Sequence, residues 1–65
     1  MEEYQKRVVD EMFQLKDRVI KLQSFVNSEK FSALTAEEQD LLLRQLDVMS
    51  QYNDILDERI ERFDK

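Results

Sequence analysis

The 65-residue chain has a formal charge of −5 and contains no Gly, Pro, Cys, His or Trp. The missing residue types exclude a disulfide framework, a zinc-thiolate site, a histidine acid or base and a glycine-rich phosphate loop. A chain without Gly and Pro is also predicted to form a helical fold with few turns, in one domain, 1–65. The acidic balance argues against nucleic-acid binding, and without a membrane-length apolar run or a signal-peptide core we expect no membrane segment and a cytoplasmic location.

The first predicted element is an amphipathic helix over about 2–28. Its apolar residues recur at alternating steps of four and three, which is the spacing of a coiled-coil seam. A second apolar stripe, made of Val9, Phe13 and Ile20, accompanies the seam. The seam itself consists of Val8, Met12, Leu15, Val19, Leu22 and Val26.

Residues 28–34 form the predicted connection. This segment breaks the heptad phase and precedes a helix cap, which disfavours the alternative of one continuous helix. A connection this short places two helices side by side and antiparallel. We expect Phe31 and Leu34 to fill the closed end of the resulting hairpin.

The second helix is predicted over about 36–64. Thr35 and Glu38 have the spacing of a capping box, in which each side chain accepts a hydrogen bond from the other residue's amide. A further stripe beside the seam consists of Leu41, Val48, Tyr52 and Ile55. The seam of this helix consists of Leu42, Leu46, Met49, Asn53, Leu56, Ile60 and Phe63.

Two apolar stripes per helix are more than a hairpin can bury. Large exposed apolar patches mark association sites, and chains below about 70–80 residues usually need a disulfide, a metal or oligomerisation for stability. We therefore predict an all-α fold, an antiparallel two-helix hairpin that assembles into a homo-oligomeric helical bundle. Asn53 either sets the register or oligomeric state of that bundle or lines a polar pocket.

The remaining charges follow a helical pattern. An acid four residues before a base is the favourable arrangement on a helix surface, and solvated surface is the simplest interpretation of these residues. The pattern occurs in six pairs: Glu2–Lys6, Glu3–Arg7, Asp17–Lys21, Asp40–Arg44, Glu58–Arg62 and Glu61–Lys65.

Candidate binding residues flank the seam at heptad spacing. One row holds Tyr4, Glu11, Arg18 and Phe25, and the other holds Gln45, Tyr52 and Arg59. An aromatic face beside a guanidinium group suits a planar base and its phosphate, whereas the alternative roles are interface packing for the tyrosines and surface ion pairs for the arginines. Since His, Cys and Glu-x-x-His motifs are missing, we expect no enzyme, no metal site and no cofactor.

The ordered motifs of the chain resemble those of a family of small phage proteins found in crAss-like and other tailed phages. The family opens with YQxRVVxE, continues with KLxxF and an SxxFxxL joint, and ends with LLxxQLxxMxxYxxxLxxRIxxF. The opening motif corresponds to 4–11, the second to 21–25, the joint to 28–34 and the closing pattern to 41–63. The resemblance covers nearly the whole chain.

Such hairpins resemble the hairpin domain of anti-CBASS and anti-Thoeris sponge proteins, homo-oligomers that sequester cyclic nucleotide signals between protomers. The resemblance implies a phage anti-defence protein that withholds such a signal in the host cytoplasm without catalysis. The alternative is a protein-interaction module whose surplus apolar face docks on a host protein and inhibits it. The negative charge requires a locally basic pocket for an anionic ligand. The residues that match the polar and aromatic motif positions, and are therefore the candidate ligand contacts, are Tyr4, Arg7, Lys21, Tyr52 and Arg59.

Overall fold

The computed structural model describes residues 2–64, and in this part of the chain it shows helices and no strands. The elements are α1 (Glu3–Val26), a single-turn helix α2 (Glu29–Ser32) and α3 (Ala36–Glu61), followed by a 3-10 turn over Arg62–Asp64. Helices α1 and α3 pack against each other along an elongated body of 46 × 14 × 14 Å. The predicted pair of long helices is thereby confirmed, while assembly into a larger bundle stays a prediction. No helix of residues 2–64 has the length and apolar character needed to cross a bilayer.

The first helix ends two residues before the predicted limit of 28. The side chains of Asn27 and Ser28 stop it by binding carbonyl groups of its last turns. The Asn27 amide nitrogen donates to the carbonyl of Gln23 at 2.9 Å, and the Ser28 hydroxyl donates to the carbonyl of Phe25 at 2.6 Å. Ser28 also accepts a hydrogen bond from the Phe31 amide at 3.4 Å, so it begins α2 as it ends α1.

The connection between the long helices contains the unpredicted helix α2, and Gln39 holds it in place. The Gln39 side-chain nitrogen lies 3.0, 3.4 and 3.1 Å from the carbonyl oxygens of Phe31, Ser32 and Leu34 and donates to them. These bonds add donor partners to carbonyl groups at the end of α2 and just beyond it, of which the Phe31 carbonyl also accepts from the Leu34 amide at 3.0 Å. The Phe31 ring meets Phe25 edge to face with centroids 6.3 Å apart, which places it at the closed end as expected.

The predicted capping box at the start of α3 is half correct. The Thr35 hydroxyl accepts from the Glu38 amide at 3.2 Å, as predicted. Within residues 2–64 the structure shows no return bond from the Glu38 carboxylate to the Thr35 amide. Gln39 binds the connection instead, and Glu38 stays exposed in the first turn, where negative charge is favourable.

The predicted seam is the core of the hairpin. Val8, Leu15 and Leu56 are buried, and Leu56 has no exposed surface at all. Met12, Val19, Met49, Ile60 and Phe63 pack against these three residues and are partly buried. The second stripes are left largely to solvent, so a single hairpin does not cover the apolar surface that its sequence carries.

Leu56 is the most tightly packed residue of this core, so its truncation should be the most costly. We expect Leu56→Ala to lower the free energy of unfolding by about 2–5 kcal/mol, because a cavity remains where the side chain was. Phe13→Ala, which changes an exposed residue of α1, should stay within about 0.5 kcal/mol of the parent protein. Urea denaturation followed by circular dichroism measures both values, and equal losses would contradict this description of the core.

Asn53 is the polar exception in the seam. Its side-chain oxygen is buried and has no hydrogen-bond partner within residues 2–64. A buried polar atom without a partner costs about 1–3 kcal/mol, so Asn53→Leu should raise the free energy of unfolding by a similar amount.

The same variant separates the two roles considered for Asn53. If the residue sets the register of an assembly, Asn53→Leu changes the mass measured by light scattering. A single, unchanged mass together with higher stability would exclude the register role and favour a polar pocket.

Candidate functional site

One interhelical hydrogen bond shows which flanks of the two helices share a side of the hairpin. The Tyr52 hydroxyl donates to the carboxylate of Glu11, across the seam between α3 and α1. The heptad rows that contain these two residues therefore border the same long side. We call it the Tyr52 side, and its two inner rows are Tyr4, Glu11, Arg18 and Phe25 on α1 and Gln45, Tyr52 and Arg59 on α3.

A second pair of rows lies farther out on the same side. Residues three positions apart are neighbours on a helix surface, so the row after Tyr4 and Arg18 contains Arg7 and Lys21. The corresponding outer row of α3 contains Leu41, Val48 and Ile55. The Tyr52 side therefore combines a basic edge on α1 with an apolar edge on α3, and it includes all five candidate ligand contacts.

These five residues are not gathered at one point. The Tyr4 ring meets Phe63 edge to face at 6.0 Å, which places Tyr4 at the open end together with Arg59, one turn before Phe63. Arg7 lies one turn farther along α1, and Tyr52 lies nearer the middle. Lys21 is about 25 Å from Tyr4 along α1, close to the closed end.

Two of the candidate cations already have partners on their own helix. Arg7 lies 3.6 Å from Glu3, and Lys21 lies 2.9 Å from Asp17. All four side chains are at least 60% exposed, and such pairs contribute about 0.3–0.5 kcal/mol, so a ligand can recruit either cation at little cost.

The other predicted pairs give a mixed result. Asp40–Arg44 also forms, at 3.0 Å. Glu2–Lys6 and Glu58–Arg62 show no contact of this kind within the described chain, and Glu61–Lys65 includes a residue outside it.

The opposite side of the hairpin has the opposite charge. We call it the Phe13 side: α1 contributes the apolar residues Val9, Phe13 and Ile20, and α3 contributes a row of acids. This acidic row consists of Asp40, Asp47, Asp54 and Glu61. On the Tyr52 side the bases Arg7, Arg18, Lys21 and Arg59 outnumber the acids Glu11 and Glu38, so the charge of this side is positive although the chain is acidic.

A groove lies at the closed end of the Tyr52 side. It has a volume of about 460 Å³, within the usual range for small-molecule sites, and it is almost entirely apolar. Lys21 lies one turn before the groove residue Phe25 on α1, and its ammonium group pairs with Asp17 at 2.9 Å. Heptad spacing alone does not predict this groove, which is lined by Phe25, Leu34, Glu38, Leu41 and Leu42.

The arrangement is suited to binding. Within residues 2–64 no cluster of acidic side chains could hold a metal ion. The Tyr52 side offers exposed aromatic rings, cationic side chains and an apolar groove, and these groups recognise the bases and phosphates of nucleotides.

The hydrogen bond between Tyr52 and Glu11 should stabilise the hairpin modestly. We expect Tyr52→Phe to lower the free energy of unfolding by about 0.5–1.5 kcal/mol, because the carboxylate loses its donor. Tyr4→Phe is the matched control, since the described contact of Tyr4 is made by its ring. Urea denaturation of both variants tests this, and an equal effect would contradict a specific role for the Tyr52 hydroxyl.

Comparison with known proteins identifies relatives of the chain. It is 42% identical over 60 residues to a phage T4 protein, described as an uncharacterized 7.5 kDa protein in the denB-rIIB intergenic region, and the alignment covers 92% of this chain and 94% of that protein. No solved structure matches the chain. The expected relationship to small phage proteins is thereby confirmed, whereas the likeness to immune-signal sponges stays a prediction. The sequence profile of the Sequestin family matches residues 2–62, and the chain belongs to that family.

Proposed function

We propose that this protein sequesters a nucleotide-type signal of bacterial immunity, of the cyclic nucleotide class, in pockets of a homo-oligomer on the Tyr52 side. It binds the signal without chemical change in the cytoplasm of the infected host cell, so that the host receptor is deprived of it. The family name suggests sequestration, and the relative from phage T4 supports a phage protein.

The chemistry of the Tyr52 side carries the proposal. Tyr4 and Tyr52 are 58% and 41% exposed, so both rings have surface available for stacking against a base. Arg7, Arg59 and Lys21 supply charge-assisted hydrogen bonds for phosphate oxygens. The acidic row lies across the hairpin, so the net charge of the chain is concentrated away from the proposed site.

The proposal includes no reaction. The chain has no His or Cys. Its exposed tyrosines, arginines and lysine can hold a nucleotide in place, but no nucleophile beside a general base is apparent in the described chain. Binding alone is sufficient for sequestration, provided that the protein is abundant relative to the signal.

A second candidate function is supported by the Phe13 side. Phe13 and Ile20 are 61% and 58% exposed on one helix face, and exposed apolar surface of this kind can dock on another protein. In this alternative the chain inhibits a host protein directly, and nucleotides have no effect on it.

The proposal is tested by incubating the protein with a panel of cyclic di- and trinucleotides and related signals. We expect at least one to raise the melting temperature and to bind in calorimetry. Heating the complex should release the same nucleotide unchanged in mass, because sequestration leaves its bonds intact. An altered nucleotide would contradict binding without chemistry, and no response to any member would favour the protein-docking alternative.

Variants at matched positions test the location of the site. Arg59→Ala and Lys21→Ala should each weaken binding about tenfold or more, the loss expected for one charge-assisted hydrogen bond. Lys16→Ala removes the same charge from the other side of α1 and should leave the affinity unchanged. If Lys16→Ala weakens binding as much as Lys21→Ala, the Tyr52 side is not the site.

A further inference from the structure

The Phe13 side is apolar next to α1 and acidic along α3. Phe13 and Ile20 are exposed on α1, and α3 adds Leu43, which is 49% exposed and follows the seam residue Leu42 on the flank away from Tyr52. Because Tyr52 contacts Glu11 across the antiparallel pair, Ile20 lies about level with Leu43. Phe13, Ile20 and Leu43 therefore form one apolar strip beside the seam, which we call the Phe13 strip.

The acidic row borders this strip along the length of α3. Its four members recur at every seventh position and are all exposed. At a rise of about 1.5 Å per residue, the row presents a carboxylate about every 10 Å over a length of about 30 Å. Asp40 pairs with Arg44 at 3.0 Å, and Asp47 accepts from the Gln51 amide at 3.0 Å, both within α3. Exposed contacts of this kind stabilise weakly, so an external cation can replace them at little cost.

The strip and the row together define the chemistry of a partner. An amphipathic helix docks by laying its apolar face on an apolar surface of this kind. One flank of such a helix lies over the acidic row, and the other lies over α1, where Lys6 and Lys16 belong to the same side. Lys and Arg residues are therefore favoured on the first flank of the partner and disfavoured on the second.

The charges argue against a second copy of the chain as the partner. Two Phe13 sides placed together set each acidic row either against the other acidic row or against an apolar strip, and neither contact is favourable. The Tyr52 side of another copy has the matching positive charge. That contact would bring the acidic row against the surface proposed for anionic phosphates, so its exclusion rests on the function proposed above.

We propose that the Phe13 side binds an α-helix of another protein, one with apolar residues at heptad spacing and Lys or Arg residues along one flank only. The bound helix extends the hairpin to a three-helix bundle. Its apolar residues cover the Phe13 strip, and its cations face the acidic row at steps of seven residues. The Tyr52 side stays open, so the protein can hold a nucleotide and a protein partner at the same time.

Synthetic peptides of about three heptads test this surface without any nucleotide. Three peptides have leucine at the same a and d positions and differ on one flank, which has lysine, glutamine or glutamate. Calorimetry should show that the lysine peptide binds about tenfold or more tighter than the glutamate peptide, the sum of several exposed ion pairs, with the glutamine peptide between them. Equal affinities, or no binding of the lysine peptide, would overturn the proposal.

A fourth peptide tests the restriction to one flank. It has lysine on both flanks, so its second row lies over Lys6 and Lys16. At physiological salt it should bind no more tightly than the peptide with one lysine flank. Tighter binding would overturn the one-sided pattern.

Matched variants locate the lysine peptide on the hairpin. Phe13→Ala should weaken its binding about tenfold, as expected for a central aromatic anchor, whereas Val48→Ala on the Tyr52 side should leave it unchanged. Asp54→Asn should weaken it about two- to fivefold, the value of one exposed ion pair. Asp10→Asn removes the same charge from the outward row of α1 and should have no effect. Equal losses in the matched variants would place the peptide on another surface.

Light scattering distinguishes a helix of another protein from a second copy. Phe13→Ala and Asp54→Asn should leave the mass of the peptide-free protein unchanged, and a lower mass would show that the Phe13 side joins copies of the chain. Saturation with the nucleotide that binds tightest in the panel should leave the affinity for the lysine peptide unchanged. Mutual exclusion would contradict separate surfaces. If no nucleotide binds the parent protein, the function proposed above fails, and the peptides still decide the role of the Phe13 side.

Discussion

The structure depends on one narrow apolar contact between two helices. Val8 and Leu15 of α1 and Leu56 of α3 are its buried centre, and their neighbours in the seam are only partly covered. A contact of this width fixes the antiparallel arrangement, yet it uses one stripe of each helix and leaves the second stripe in solvent. The same limitation makes a single hairpin a poor candidate for high stability and leaves its long sides available for binding.

The seam also decides how charge is distributed. Because the helices run antiparallel, the basic edge of α1 and the apolar edge of α3 border one side, while the apolar edge of α1 and the acidic row of α3 border the other. Neither helix alone shows this separation. A chain with a formal charge of −5 can therefore present a basic, aromatic surface, which is the property that capture of an anionic signal requires.

Much of the fold could be predicted from the sequence because the apolar residues of both long helices recur at strict heptad spacing. The seam residues, the antiparallel pair and the N-cap of α3 at Thr35 all follow from heptad spacing and one cap. Helix α2 could not be predicted in the same way, because it depends on Gln39, which reaches back to carbonyl groups from five to eight residues away. The sequence motifs of helix caps do not include hydrogen bonds between residues this far apart along the chain.

Only part of the candidate site could be predicted from the sequence. Tyr52 and Glu11 were both recognisable as members of seam-flanking rows, but their hydrogen bond required the packing of α1 on α3 to be known. The groove beside Phe25 also depends on that packing, because Leu41 and Leu42 come from the other helix. Heptad spacing predicts rows on each helix, and tertiary packing decides which rows meet.

The central claim is that the Tyr52 side binds a nucleotide. The most direct test is an NMR titration of the isotope-labelled protein with the nucleotides of the panel, following the amide signals of both helices. A bound nucleotide should shift the signals of Tyr4, Arg7, Lys21, Tyr52 and Arg59 and should leave those of the acidic row on α3 unchanged. Shifts confined to Phe13, Ile20 and the acidic row, or no shift with any nucleotide, would contradict it.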